Sequence, residues 1–318
     1  MAVTRRNILK DPAVLQKFCD GVNRLKNDFT GPTTRDVGVP GTVQKISTYD
    51  LFVVWHVRAM MTMTPSNPDD EGRNAAHRGP VFLPWHRFML RQLELNLQRV
   101  LKDQTFGLPY WDWAADGELK PADQPKSPLW APTGIGGSGK PITTGPFVFK
   151  PADPTSFRVR IATNSNSDPV QVNRGLSRAL TAGVSTLPNK RATRDALDDK
   201  PYDAAPWTVS SARFRNRLEG WKPSLGLHNR VHVWVGGDMS PASSPNDPVF
   251  FLNHCNVDRI WEAWMKKNGR VYLPGDDASS ELKGHRLHDD LSSLISAPTT
   301  PAAVLDSTQQ FVYDSVDV

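Results

Sequence analysis

The chain has only two cysteines, Cys19 and Cys255, in 318 residues and far apart, too few for a disulfide framework. It has no Asn-x-Ser/Thr sequon and no apolar run near the roughly 20 residues of a membrane span. Neither sign of charge dominates: 38 Lys and Arg face 33 Asp and Glu, for a net charge of +5 and a pI near 9.2. The basic residues are scattered. The nearest thing to a patch, Arg213, Arg215 and Arg217, has an alternate spacing that spreads it around a helix, which reads as solvated surface and excludes a nucleic-acid footprint. Gly134-Ile135-Gly136-Gly137-Ser138-Gly139 matches the dinucleotide fingerprint in form but has no strand before it and no helix after it. Arg5-Arg6 has the form of a twin-arginine export signal, yet Asp11-Pro12 follows at once and the apolar region of about 7–15 residues is missing. The segment is therefore assigned to the folded domain. The expected location is cytoplasmic, or exported with a partner.

What is present is an ordinary globular composition, 38% apolar and 22% charged, expected to form one domain over residues 1–318. The 27 prolines and 22 glycines imply long ordered loops, and ten tryptophans imply an aromatic-rich interior. A first helix is expected over 12–29, with Val14, Leu15, Phe18, Val22, Leu25 and Phe29 on one face. Ser47 and Asp50 form a capping pattern before a second helix with the stripe Tyr49, Phe52, Val53, His56, Met60 and Met63. An irregular loop over 64–85 carries His77. A long amphipathic helix then places His86, Leu90, Leu93, Leu97 and Val100 in line. Residues 114–210 are the least patterned, with one helix expected at 172–180 and a short one following at 214–221.

The remaining signal is histidine. Three of the eight lie between 226 and 264. His228 and His232, four apart, share one helix face, and His254 lies on the apolar stripe Phe250, His254, Val257, Trp261 and Trp264. A single histidine on such a stripe is an ordinary core residue, but the pattern occurs twice. His56, His77 and His86 form one set, and His228, His232 and His254 the other. Neither includes a carboxylate or thiol, which suits copper or zinc over non-haem iron or structural zinc. Three protein ligands leave an open position at each ion. Two such sites face to face would hold a small molecule between them, dioxygen if the metal is copper. His285 and His288, in a charged context, are expected at the surface.

At this point the residues resemble a known family, the tyrosinases and related type-3 dicopper proteins. Gly79-Pro80-Val81-Phe82-Leu83-Pro84-Trp85-His86-Arg87 is similar to the copper A signature, and Asp247-Pro248-Val249-Phe250-Phe251-Leu252 with His254, Asp258 and Arg259 to the copper B signature. Arg5-Arg6-Asn7 and Phe311-Val312-Tyr313 resemble the arginine and aromatic-x-Tyr pair that latches the family's termini. The resemblance implies a mainly α fold whose central four-helix bundle holds a dicopper site with long ordered loops around it. Copper A would sit on His56, His77 and His86, and copper B on His228, His232 and His254.

The implied activity is ortho-hydroxylation of monophenols and oxidation of o-diphenols to o-quinones, with two copper ions per chain and dioxygen as co-substrate. Glu219 and Asn229 match positions that in bacterial relatives hold a water near the phenol proton. Phe250, Asn253 and Val233 are expected at the substrate pocket, with Asn253 standing where many relatives carry a second histidine. Asp258 is an expected salt-bridge residue, with Arg6 as one partner. No cysteine lies near His77, so the thioether of fungal and plant relatives is absent. The expected partner is a small phenolic or catecholic substrate, with no nucleic acid and no membrane; a copper-loading helper protein and the oligomeric state stay open. Alternatives within the resemblance are a catechol oxidase or o-aminophenol oxidase without hydroxylase activity and, from another class, a haemocyanin-like dioxygen binder; a zinc hydrolase is the alternative outside it.

Overall fold

The computed structural model describes residues 2–65 and 72–318, so residues 66–71 of the expected loop lie outside the described residues. In chain order the elements are β1 (Val3–Arg5), α1 (Pro12–Lys26), α2 (Thr48–Met61), α3 (Phe82–Leu101), α4 (Trp113–Asp116), β2 (Val159–Thr163), β3 (Pro169–Arg174), α5 (Lys190–Leu197), α6 (Phe214–Glu219), α7 (His228–Val235), α8 (Val249–Asn268), α9 (Pro301–Val304) and β4 (Phe311–Tyr313). The fold is mainly α. No described helix is long and apolar enough to cross a membrane.

Local chemistry sets the helix starts. Asp11 accepts from the amides of Ala13 and Val14, and Pro12 follows at the first helical position, where its missing N–H costs nothing. Ser47 accepts from the Asp50 amide, as the capping pattern predicts, and its hydroxyl donates to the Asp50 carboxylate at 2.5 Å. The first helix ends at Lys26, short of Phe29: Asn27 leaves the helical conformation and its amide closes the last turn on the Arg24 carbonyl, while the Lys26 ammonium turns inward to Asp50 at 2.5 Å and Phe29 is left 40% exposed. The apolar stripes bury Phe52 and Val53 of α2, Leu90, Leu93 and Leu97 of α3, and Val257, Trp261 and Trp264 of α8. α2 packs on α3, α3 on α8 and α8 on α7, with α1 laid across α2 and α3.

The helix expected at 172–180 is not there. Pro169–Arg174 is instead β3, paired antiparallel with β2, with Ala162 opposite Val170. Val170 and Val172 alternate with polar residues, a period of two, and Asn164 caps the intervening turn by accepting from the amides of Asn166 and Asp168. The Gly134–Gly139 stretch is a loop held from outside: Arg178 donates to the carbonyls of Ile135 and Gly136 and pairs with Asp247 through both oxygens, at 2.6 and 2.7 Å.

The termini meet as parallel strands, Val3 beside Phe311 and Arg5 beside Tyr313. Strand alternation turns Arg5 inward and Arg6 out to solvent, so the expected Arg6–Asp258 pair is replaced by another. Arg5, fully buried, reaches Glu94 at 2.9 Å and Asp258 at 3.2 Å, with its guanidinium 3.4 Å from the Phe311 ring centroid. Asp258 also accepts from Arg87 at 2.6 Å and from the Tyr313 hydroxyl at 2.5 Å. Two helices, α3 through Glu94 and Arg87 and α8 through Asp258, are thereby tied to both ends of the chain. Arg5→Met takes one guanidinium from Glu94, which keeps Arg91, and one from Asp258, which keeps Arg87, and is expected to cost on the order of 3 kcal/mol, read as a lowered unfolding midpoint. An unchanged midpoint would contradict the latch.

Candidate metal centre

Helices deliver five of the six histidines: His56 from α2, His86 from α3, His228 and His232 from α7, and His254 from α8. His77 comes from the loop between α2 and α3, where the Asn74 side chain accepts from the amides of Ala76 and His77. In each triad one nitrogen per ring lies within 4.8 Å of the other two.

Hydrogen bonds decide which nitrogen that is. A carbonyl oxygen only accepts, so an Nδ1 resting on one must carry the proton. His56 Nδ1 donates to Ala242 O at 2.6 Å, His86 Nδ1 to Phe82 O at 2.8 Å, His228 Nδ1 to Glu219 O at 3.2 Å and His232 Nδ1 to Met239 O at 2.7 Å. His77 Nδ1 faces a carboxylate, Glu219 Oε1, at 3.3 Å, which fixes the same tautomer. Each Nε2 is left as a bare lone pair turned inward. His56 Nε2 and His77 Nε2 stand 3.1 Å apart, two acceptors face to face, and the buried Nε2 of His86 has no hydrogen-bond partner among the described residues. His228 Nε2 lies 3.0 Å and His232 Nε2 3.4 Å from His254 Nε2. Crowded lone pairs of this kind repel unless a cation sits among them, so the donor set fits a metal ion in each triad.

Burial keeps the ligands neutral. It pushes the imidazoles of His56, His86, His228 and His254 well below their ordinary range, with neighbouring histidines adding to the effect, and takes His232 down to about 4. The triads adjoin through His86 and His254, whose rings stack with centroids 4.1 Å apart. Phe250, one turn before His254, lies beneath that layer, 4.1 Å from His254 and 5.0 Å from His56. Phe82 holds the corresponding place one turn before His86, 4.9 Å from both His86 and His228. The sequence reading leaves Phe82 unassigned, although the shared Phe-x-x-x-His spacing carries the signal.

A pocket of about 250 Å³ opens onto His56, His77, His228 and His232. Asn229 and Val233 border it, with Met60, Trp221, Leu225 and Pro241. Phe250 and Asn253, both expected at the pocket, are fully buried and do not border it, and the Asn253 amide has no partner among the described residues. Glu219 stands behind His77. Burial alone would raise its pKa, but the His77 hydrogen bond, the Arg215 charge and the Arg78 amide hold it below the ordinary carboxylate value.

Two expectations are corrected here. Arg215 is not solvated surface: it is fully buried and bridges Asp203 and Glu219. His285 is likewise buried, its Nε2 2.7 Å from the Thr64 hydroxyl, while His288 stays exposed beside Asp276. His285 packs so tightly on Gly79, two residues past His77, that a Cβ there would lie 2.7 Å from its ring.

The tyrosinase family model, described as the common central domain of tyrosinase, matches residues 46–267. The chain belongs to the tyrosinase family. It is 39% identical over 280 residues to a tyrosinase of Streptomyces antibioticus, covering 86% of this chain and 91% of that one. It is 35% identical over 300 residues to a grixazone synthase of Streptomyces griseus, covering 86% and 92%. Among solved structures, a point mutant of the polyphenol oxidase of Thermothelomyces thermophila superposes with a TM-score of 0.72 at 21% identity, over 99% of this chain and 89% of that one, a likeness of fold. The family and the two triads, suited to two copper ions, make the protein a copper-dependent oxidoreductase of the type-3 dicopper kind.

The buried histidines set an acid limit on the metal-free protein. Their folded values lie below the unfolded 6.5, down to about 4 for His232 and about 3 for His285, so the unfolded chain binds protons first. Stability is full above about pH 6.5 and falls below it by about 1.4 kcal/mol per pH unit for each such histidine. Thermal melts from pH 7 to 5 are expected to show a steep loss for the metal-free protein. The copper-loaded protein holds out to lower pH because the ion competes with protons for the lone pairs.

Proposed function

We propose that the protein ortho-hydroxylates monophenols and oxidises the resulting o-diphenols to o-quinones, with dioxygen as co-substrate and two copper ions held by His56, His77 and His86 and by His228, His232 and His254. The observation that carries this reading is the set of neutral imidazoles turning Nε2 onto two adjoining centres that open into one pocket. The Streptomyces antibioticus relative, a tyrosinase, agrees with it. When bound, the copper pair supplies the redox chemistry that activates dioxygen.

The rest of the reaction falls to the chain. Met60, Trp221, Leu225, Val233 and Pro241 form apolar walls suited to one aromatic ring, and no Lys, Arg, Asp or Glu borders the pocket among the described residues. The fitting substrate is therefore a small phenol or catechol whose reacting end is uncharged apart from the phenol itself. A phenol gives up its proton before it can bind a metal as phenolate, which calls for an acceptor at the wall. Asn229 is at the wall, its amide nitrogen donating to Gly220 O, so its Oδ1 is the atom available to a water. Glu219, one residue before Gly220, accepts three hydrogen bonds, from His77, Arg78 N and Arg215, and has room for about one more. Together they are assigned the water that receives the phenol proton.

A second reading has an observation of its own. Glu219 is fully buried and does not border the pocket, which favours oxidation of catechols or o-aminophenols without hydroxylation. Oxygen uptake by the copper-loaded protein with tyramine and with the matching catechol separates the two. On the first reading both substrates drive uptake, and Asn229→Ala lowers the phenol rate by roughly 10²-fold or more with a much smaller effect on the catechol. Uptake with catechol alone would leave only the second reading.

A further inference from the structure

His77 is the one ligand of the six that no helix carries. It also differs in what holds its ring. The Nδ1 atoms of His56, His86, His228 and His232 rest on backbone carbonyls, which move only with the main chain. His77 Nδ1 rests on a side-chain carboxylate, so its ring is only as well placed as Glu219.

Glu219 is the last residue of α6, followed by Gly220 in the left-handed region at φ +94°, where a side chain would collide with the Leu225 carbonyl. Its carboxylate is tied at both oxygens. Oε1 accepts from the Arg78 amide at 2.7 Å, and Oε2 accepts from Arg215 Nη1 at 3.0 Å, one helical turn back. The Arg215 guanidinium is itself immobilised: Nε donates to Asp203 Oδ2 at 2.8 Å and Nη2 to Thr208 O at 2.7 Å. Asp203 accepts from the Ala204 amide at 2.9 Å. Asp203, Arg215 and Glu219 are all fully buried, so no water competes for these bonds. The result is a continuous chain of contacts from Asp203 through Arg215 and Glu219 to His77.

We propose that Arg215 is a positioning residue for the metal ion of the first triad: it fixes the Glu219 carboxylate behind His77 and thereby the direction of the His77 lone pair, while touching neither ion nor substrate. This rests on the dicopper reading. Carboxylates behind a ligating histidine hold its tautomer and raise its basicity, and their loss weakens metal binding by roughly 10–100-fold. Here the carboxylate has a guanidinium behind it, and only the planar fork of arginine reaches Asp203, Thr208 O and Glu219 at once. The second triad meets Glu219 only at its main chain, since His228 rests on the Glu219 carbonyl and His232 on that of Met239, so it does not depend on where the carboxylate points.

The test is copper retained per chain when the copper-loaded protein is dialysed against graded EDTA. Wild type is expected to release its two ions over a similar chelator range. Arg215→Lys keeps the charge and loses the fork; it is expected to give up one ion at roughly 10–100-fold less chelator and keep the other as wild type does. If Arg215→Lys does not fold, Asp203→Asn loosens the same guanidinium and is expected to give the same one-ion loss to a smaller degree. Retention of both ions by the variant that folds, or parallel loss of both, would overturn the positioning role. A wild-type protein that holds no copper pair would overturn the dicopper reading instead.

Discussion

A carbonyl oxygen accepts and never donates, and the whole centre follows from that asymmetry. Four imidazoles have Nδ1 on a backbone carbonyl and a fifth has it on Glu219, so all five are committed to one tautomer before any ion arrives. Burial adds the second constraint by making the charged imidazolium unfavourable. What remains is a set of inward lone pairs with nothing to bond to, a state that a folded core tolerates only because a cation can occupy it.

The scaffold serves that geometry. α2, α3, α7 and α8 each present a ligand face inward, and Phe82 and Phe250 pack one turn ahead of His86 and His254, so the two stacked ligands are backed in matching ways. The buried guanidinium of Arg5 ties both chain ends to α3 and α8, which carry the His86 and His254 rings. Opposed to this rigid half is the loop bearing His77. It is held by contacts that arrive from far along the chain: Glu219 at its ring, His285 against Gly79 and at Thr64, and Arg73 donating to the carbonyls of Pro65 and Glu281.

Much of this was legible because it is periodic. The His228–His232 spacing, the stripes of α2, α3 and α8 and the Ser47 cap are local patterns that survive into the structure, except that Met63 of the expected α2 stripe lies past the end of that helix and is 56% exposed. Local charge is a poor guide to exposure in two places. Arg215 sits between two exposed arginines, and His285 lies beside Lys283 and Arg286, yet both turn inward to partners that sequence distance hides. The 172–180 segment shows the converse, since its alternation at Val170 and Val172 is a strand signal that begins before the window in which a helix was expected. Glu219 stands out in the sequence through the family resemblance, but its bond to His77, 142 positions away, has no local signature.

Two sets of three inward-facing imidazoles should hold two ions, and the most direct measurement is the copper stoichiometry of the metal-free protein titrated to saturation. The expected result is two copper ions per chain, falling to about one when either His56 or His232 is replaced by alanine, with the other triad still filled. A saturating stoichiometry of one in the unaltered protein, or a single substitution that empties both triads together, would contradict it.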